Sequence, residues 1–153
     1  MVELKQFEFE SEDEVIGPFR GKYSFLSNFY DQEIQFEGAV WPTSEHAYQA
    51  MKTLDLDARE KVRKASTPGK AKRAGRKVAL RDDWEDVKID VMMKVLEAKF
   101  SHPELQQKLL DTGDTPIVEI NSWGDEFYGV CDGKGYNVLG QLLMELRSDL
   151  LEN

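Results

Sequence analysis

Short stretches of alternating polarity frame a longer run of residues whose apolar positions recur at helical spacing. Residues 5–9 (KQFEF) alternate polar and apolar and predict a half-buried strand. Ile34-Gln35-Phe36 followed by Glu37-Gly38 predicts a second short strand and a turn, and Pro116 to Ile120 a third strand. Trp84, Val87, Val91, Val95 and Ala98 recur three and four residues apart, which predicts an amphipathic helix over residues 83–100 with Asp82 and Asp83 as its cap. Val138, Leu139, Leu142, Leu143, Leu146 and Leu150 mark a closing helix of the same kind. Thr67-Pro68 pairs a capping hydroxyl with a proline at the first helical position, opening a helix through Ala79. Residues 57–65 read as a short charged helix, and His102-Pro103 opens one that ends near Gly113. Residues 121–137 read as a long glycine-rich loop. The expected fold is α+β: a single, mostly helical domain over residues 1–153 with a small β-sheet.

Composition narrows the class. A chain of 153 residues with 41% hydrophobic content can bury a core without staples. Cys131 is its sole cysteine, so no intrachain disulfide or multi-cysteine zinc site is expected. The charged start, MVELKQFEFESEDE, lacks the apolar run of a signal peptide, and no stretch reaches membrane-spanning length. The expected location is the cytoplasm.

Charge changes the picture more. The net charge of −9 conceals a block at residues 59–81 with ten Lys and Arg against one acid, Glu60. An acidic whole disfavours nonspecific duplex binding, whereas a local basic block receives a few phosphates. Small phosphorylated ligands fit best.

Candidate chemistry concentrates in Trp41 to Lys52 (WPTSEHAYQAMK). Thr43 or Ser44 can cap a helix after Pro42, with Glu45 in its first turn, where the helix dipole favours a carboxylate. At about 100° per residue, Glu45, Gln49 and Lys52 share a face, with Trp41 and Tyr48 as aromatic neighbours. The commoner fate of such residues is a solvated helix surface. The Trp-Pro opening and the adjoining basic block favour a site instead.

Other signals are weaker. Gly129, Gly133 and Gly135 around Lys134 can present N–H groups to a phosphate, or simply form a tight turn. Asp125, with Glu45, could complete a carboxylate pair of the type that handles oxocarbenium-like transition states, whereas Asp132 reads as solvated loop. Trp84 can stack on a base or pack in the core, and Trp123 is harder to bury. His46 and His102 make no ligand spacing, so no metal or cofactor is expected; Cys131 has no visible base partner.

Taken together, Leu26-Ser27-Asn28-Phe29, Trp41-Pro42-Thr43-Ser44-Glu45-His46, Gln49-Ala50 with Lys52, Ser66 to Arg76, Leu80-Arg81 with Trp84, and Asn137-Val138-Leu139-Gly140 through Leu143-Met144-Glu145-Leu146-Arg147 resemble the NADAR family of YbiA-like N-glycosidases. The resemblance implies hydrolysis of N-glycosidic bonds in ribosylated compounds, either phosphorylated intermediates of riboflavin biosynthesis or ADP-ribosyl-guanine. It implies Glu45 as catalytic carboxylate, Trp84 as a wall of the base pocket, and Lys52 as an amine able to form a Schiff base at ribose C1. Asn28, Phe29, Gln49, Tyr128, Gly129 and Asn137 are then expected at the substrate, with Arg73 and Arg76 near phosphate and Asp125 as the loop acid. The family often carries Trp-Gly shortly after that aspartate, where this chain has either Asp125 with Tyr128-Gly129 or, in another register, Trp123-Gly124-Asp125. The alternative is a non-catalytic ADP-ribose or nucleotide-binding module, which needs the basic block but not the Glu45–Lys52 face. The partner is in either case a small phosphorylated ribosyl or ADP-ribosyl compound, or ADP-ribosylated nucleic acid.

Overall fold

A computed structural model describes residues 4–10 and 12–153. The chain divides into two compact units: residues 28–102 form one, and the chain up to Ser27 with Pro103–Asn153 forms the other. The architecture is α+β and mostly helical, as expected, but its strands make two small sheets.

The 28–102 unit begins with a hairpin, β1 (Ile34–Phe36) against β2 (Ala39–Trp41), with Ile34 opposite Trp41. Glu37 and Gly38 link them at φ of 51° and 72°, the left-handed pair that a two-residue hairpin turn of this hand requires. Trp41 therefore ends a strand instead of opening a helix, and its indole N–H donates to Phe36 O at 2.8 Å. Four helices follow: α1 (Ser44–Ala50), α2 (Leu56–Arg63), α3 (Pro68–Gly75) and α4 (Trp84–Lys99). Their starts are written in side chains. Thr43, Asp55 and Thr67 each accept a hydrogen bond from the backbone of the first turn they cap. α1 lies at the centre, packed by α2, α3 and α4.

Three expectations in this unit are corrected. α3 stops at Gly75, four residues short of Ala79, and the chain then returns so that Arg81 N–H donates to Lys52 O at 2.8 Å. Asp83 precedes α4 but spends its carboxylate on the Arg81 guanidinium, leaving the cap unmade. The buried seam of α4 is Trp84, Met92, Val95, Leu96 and Lys99, whereas Val87, Val91 and Ala98 are only half-buried. The valine series lay one step around the helix from the true seam, because Met92 and Leu96 outweigh the smaller Val87 and Val91 in apolar area.

In the other unit a 3-10 helix (Gly21–Leu26) buries Phe25 and Leu26. α5 (Pro103–Leu110) packs against α6 (Val138–Glu152), and β3 (Ile120–Asn121) pairs in parallel with β4 (Val130–Cys131). Residues 5–9 form no strand: Phe7 N–H donates to Gly135 O, and Phe7 and Phe9 meet at 6.1 Å between ring centroids. Alternation marked their two half-buried rings correctly but not a ladder. Of the stretch 116–120, Ile117 only bridges Ile16, and Ile120 alone enters a strand. Pairing does not run on past Ile16 because Pro18 and Pro116 have no N–H to give. The 121–137 loop is more regular than expected, since it contains β4 and a tight turn in which Cys131 and Lys134 exchange both backbone hydrogen bonds. Among the described residues, no helix is long and apolar enough to cross a membrane.

Candidate active site

All seven residues of α1 are buried, yet besides Tyr48 four of them carry polar or ionisable groups. Burying such groups is costly unless each is bonded, so each needs an account. Ser44 donates its hydroxyl to Asn28 O and lies 3.0 Å from Asn28 Oδ1, while Glu45 N–H donates to Asn28 O at 3.0 Å. Asn28 is itself buried and its Nδ2 points to Met92 Sδ at 3.4 Å. It holds the start of α1 in place.

His46 is a structural histidine. Its Nε2 lies 2.9 Å from Ala65 O, which makes that nitrogen the donor, and Nδ1 then accepts from the Thr43 hydroxyl at 2.7 Å. Burial lowers its proton affinity, against the opposing pull of the Ala65 carbonyl. Thr43 thus serves His46 and the helix N-terminus together.

Glu45 and Gln49 remain. Gln49 Nε2 donates to Glu45 Oε2 at 2.6 Å, a charge-assisted bond across one helical turn. Gln49 Oε1 is buried and has no hydrogen-bond partner among the described residues. It lies against Gly75, where a Cβ would meet Gln49 Oε1 directly and its Cδ at 2.9 Å. Gly75 is therefore required by close approach of α3 to α1, and that approach keeps Gln49 turned toward Glu45. Glu45 is 7% exposed, as buried as Asn28.

Lys52 does not extend the helix: Met51 is the C-cap, and Lys52 sits half-buried in the turn beyond it. Lys52 is still near enough to Glu45 for the two to act on one another electrostatically. Burial holds the Lys52 ammonium below the ordinary lysine value; Glu45 opposes this, and Arg76, Lys72 and Lys88 reinforce it. The acid and the amine thus share one charged neighbourhood at the join of α1, α3 and α4.

Trp84 is buried, and its ring lies 5.2 Å from that of Tyr48 at 57°. Trp84 thus packs on Tyr48 of the Glu45 helix, where it has little free surface for a ligand. Phe29, by contrast, is 45% exposed. Arg76 and Arg73 are both exposed, and Arg76 is one of the cations acting on Lys52. Lys72 and Lys88 were not singled out from sequence, although Lys88 follows Trp84 by one turn and Lys72 precedes Arg76 by one turn, spacings that put each pair on a common face.

The expected residues of the other unit have local tasks. The Asp125 carboxylate accepts from Phe127 N–H and Tyr128 N–H, both at 3.0 Å, and Asn121 brackets Asp125 with two further bonds. Tyr128 is half-buried with its ring edge-on to Phe127 at 4.8 Å. Gly129 is buried where a Cβ would strike Glu119 and lie 2.6 Å from Asn121 Nδ2. Asn137 is corrected outright as a substrate residue: it has no exposed surface, and both ends of its amide bind the backbone, at Glu119 N–H and Ile117 O. Lys134 and Asp132 lie exposed on the tight turn, and Trp123 is 64% exposed. Among the described residues no three His, Cys, Asp or Glu side chains gather as metal ligands.

Comparison with known proteins gives the family. The chain is 47% identical to the N-glycosidase YbiA of Escherichia coli over 135 residues, covering 84% of this chain and 82% of that one. It is 41% identical to the riboflavin biosynthesis protein VVA0006 of Vibrio vulnificus, covering 86% of this chain and 36% of the longer relative. The NMR structure of E. coli YbiA superposes with a TM-score of 0.81 at 44% identity, over 92% of this chain and 87% of that one. The model of the NADAR domain matches residues 10–151, nearly the whole length, and this chain belongs to the NADAR domain family.

Proposed function

We propose that this protein hydrolyses the N-glycosidic bond between a base or amine and a phosphorylated ribose or ADP-ribose. The observation that carries the reading is the pairing of Glu45 with Lys52: a nearly buried carboxylate, oriented by Gln49, beside an amine whose proton affinity is lowered. An amine of lowered proton affinity beside a carboxylate is the kind of pairing found at sites of proton transfer and nucleophilic attack. The kinship with enzymes named for N-glycosidase activity and riboflavin biosynthesis supports the same class.

In the reaction, a neutral Lys52 amine attacks ribosyl C1, and the C1–N bond breaks with its electron pair and a proton passing to the departing base. The ring oxygen then leaves C1, taking its pair and a proton, to give an imine. Water adds to that imine, returning the free amine and the sugar phosphate. Glu45 takes the proton from the attacking amine, and later from water, and gives one to the leaving group. Without the covalent step, Glu45 activates water for direct attack at C1.

The test is incubation with ribosylated substrates and mass detection of released base and sugar phosphate. Glu45→Gln should fold normally and lose turnover by a factor of roughly 100 or more, as expected for a general acid–base. Retained turnover rejects Glu45. Tight ligand binding by the wild-type protein with no release over long incubation supports the binding-module reading instead.

A further inference from the structure

A charge taken out of water is ordinarily paired. Arg63 and Arg81, both only half-buried, have Glu60 and Asp83 as ion-pair partners. Arg147 on α6 breaks the pattern. Among the described residues it alone of the arginines is buried, at 6% exposure, and no carboxylate there forms an ion pair with it.

Its side chain is nevertheless held firmly. α6 packs on α5, and the guanidinium reaches the turn that closes α5. Nη1 donates to Thr112 Oγ1 at 2.9 Å and to Thr115 O at 2.8 Å. Thr112 can accept because its own hydroxyl proton goes to Leu109 O. The turn passes through Gly113 at φ 69° and brings Thr112 and Thr115 to the same nitrogen. Both N–H bonds of Nη1 are thereby spent, and together they fix the plane of the group. A guanidinium has five N–H donors, so one on Nε and two on Nη2 remain. The Nε–H and one Nη2–H run parallel, the edge that meets two oxygens of an oxyanion side by side. Neither nitrogen has a partner among the described residues, and neither is sealed, since the atom there that is both sealed and unbonded is Gln49 Oε1. The edge is therefore open to an incoming acceptor.

The charge balance around it is incomplete. Asp114 is exposed and favours the charged guanidinium from a distance, but burial outweighs it and leaves the proton affinity of Arg147 below its ordinary value. The carbonyl end of α5 adds roughly half a negative charge at most.

We propose that the Nε–Nη2 edge of Arg147, framed by Thr112, Asp114 and Thr115, is a binding site for a singly charged carboxylate. The two coplanar oxygens of a carboxylate match the two parallel donors. Asp114 decides against a more highly charged ligand: a phosphate ester carries about −1.5 to −2 at pH 7 and meets that neighbouring acid with nearly twice the repulsion. The site belongs to the unit that holds α5 and α6, and it stands whether or not the glycosidase reading does.

Titration of the isotope-labelled whole protein with sodium acetate, followed by nuclear magnetic resonance at an ionic strength held with sodium chloride, tests this. The Arg147 Nε–H resonance, assigned by its loss in Arg147→Lys, should move along a saturating curve with Kd on the order of 1 mM, about what two bonds to a charged group supply. Arg147→Lys keeps the charge and loses the fork, so the shift of the Thr115 amide with acetate should need about tenfold more ligand or vanish. Asp114→Asn should tighten binding severalfold, and for inorganic phosphate more than for acetate, because the dianion gains more from losing that charge. Phosphate that saturates the wild type at lower concentration than acetate overturns the carboxylate assignment. An Nε–H resonance that follows ionic strength alone, in the wild type and in Asp114→Asn, overturns the site, as does a folded Arg147→Lys that binds acetate like the wild type. Should Arg147→Lys fail to fold, its missing arginine resonance is assigned by through-bond correlation instead, and the wild-type and Asp114→Asn curves decide alone.

Discussion

Lys99 is the largest wholly buried side chain of α4, and it makes the stability of the protein depend on pH in a definite direction. Its ammonium lies over the rings of Tyr30 and Phe100, 5.6 and 5.4 Å from their centroids, in the helix seam that also holds Met92, Val95 and Leu96. Burial pushes its pKa from 10.5 down to about 7. At about 1.4 kcal/mol per pH unit, that difference amounts to a penalty of about 5 kcal/mol for the protonated form in the folded state. The folded group has the lower pKa, so between pH 7 and 10.5 the unfolded chain binds the extra proton and stability rises with pH. Below pH 7 both states hold the proton and the penalty is complete; above 10.5 neither does and it is gone.

Lys99→Met tests this, since methionine keeps the unbranched length and fills an apolar seam. The lost contacts with the two rings cost about 2 kcal/mol together, so the variant should be more stable than wild type by about 3 kcal/mol near pH 6.5. That gain should shrink toward zero as pH approaches 10. Urea unfolding followed by tryptophan fluorescence at half-unit pH steps reads both curves, and their difference removes every other titrating group. Parallel curves, or a variant less stable than wild type at pH 6.5, would refute the account of Lys99 as a penalised cation.

Gly75→Ala puts a methyl where Gln49 lies; it should destabilise the fold by about 1–3 kcal/mol and reduce turnover without altering an ionisable group, measurable by urea titration and base-release assay. Asn137→Ala strips partners from Glu119 N–H and Ile117 O, and should cost about 2–4 kcal/mol in the same titration. Borohydride added during turnover should trap a substrate adduct on Lys52, found by peptide mass, and Lys52→Arg should yield none. Because Lys52 is held below the ordinary lysine value, the trapping rate should rise with pH and level off at a lower pH than for an exposed lysine; a profile matching free lysine would show that burial does not tune it.

Local chemistry made much of this protein readable in advance. Thr43, Thr67 and the Glu37-Gly38 turn act through neighbours at most a few residues away, so their spacing announces them, and the structure uses each as expected. The Glu45–Gln49 contact is likewise a helical i to i+4 relation and was visible for the same reason. What stayed hidden depends on partners distant in the chain. Asn137 looks like a ligand residue when met in a glycine loop, and only residues 117–119, some twenty positions earlier, reveal that its amide is a backbone clasp. Asp125 shows the same ambiguity on a shorter scale, its carboxylate turned back onto Phe127 and Tyr128.

The cations that act on Lys52 show how the two kinds of information combine. The basic block at residues 59–81 was plain, but it mixes exposed charges such as Arg73 with inward ones such as Lys72, and it leaves out Lys88 altogether. Helical periodicity alone does not say which side of α3 faces α1. Gly75 does, once Gln49 is seen to occupy the place of its missing side chain, because a helix can approach that closely only along its glycine face. From that contact Lys72 and Arg76 follow as flanking residues, and Trp84 does the same for Lys88 through its packing on Tyr48. The charge acting on a buried amine is thus decided by the small and aromatic residues that set how its helices meet, and variants at Gly75 or Trp84 should shift the pH profile of Lys52 trapping although neither carries a charge.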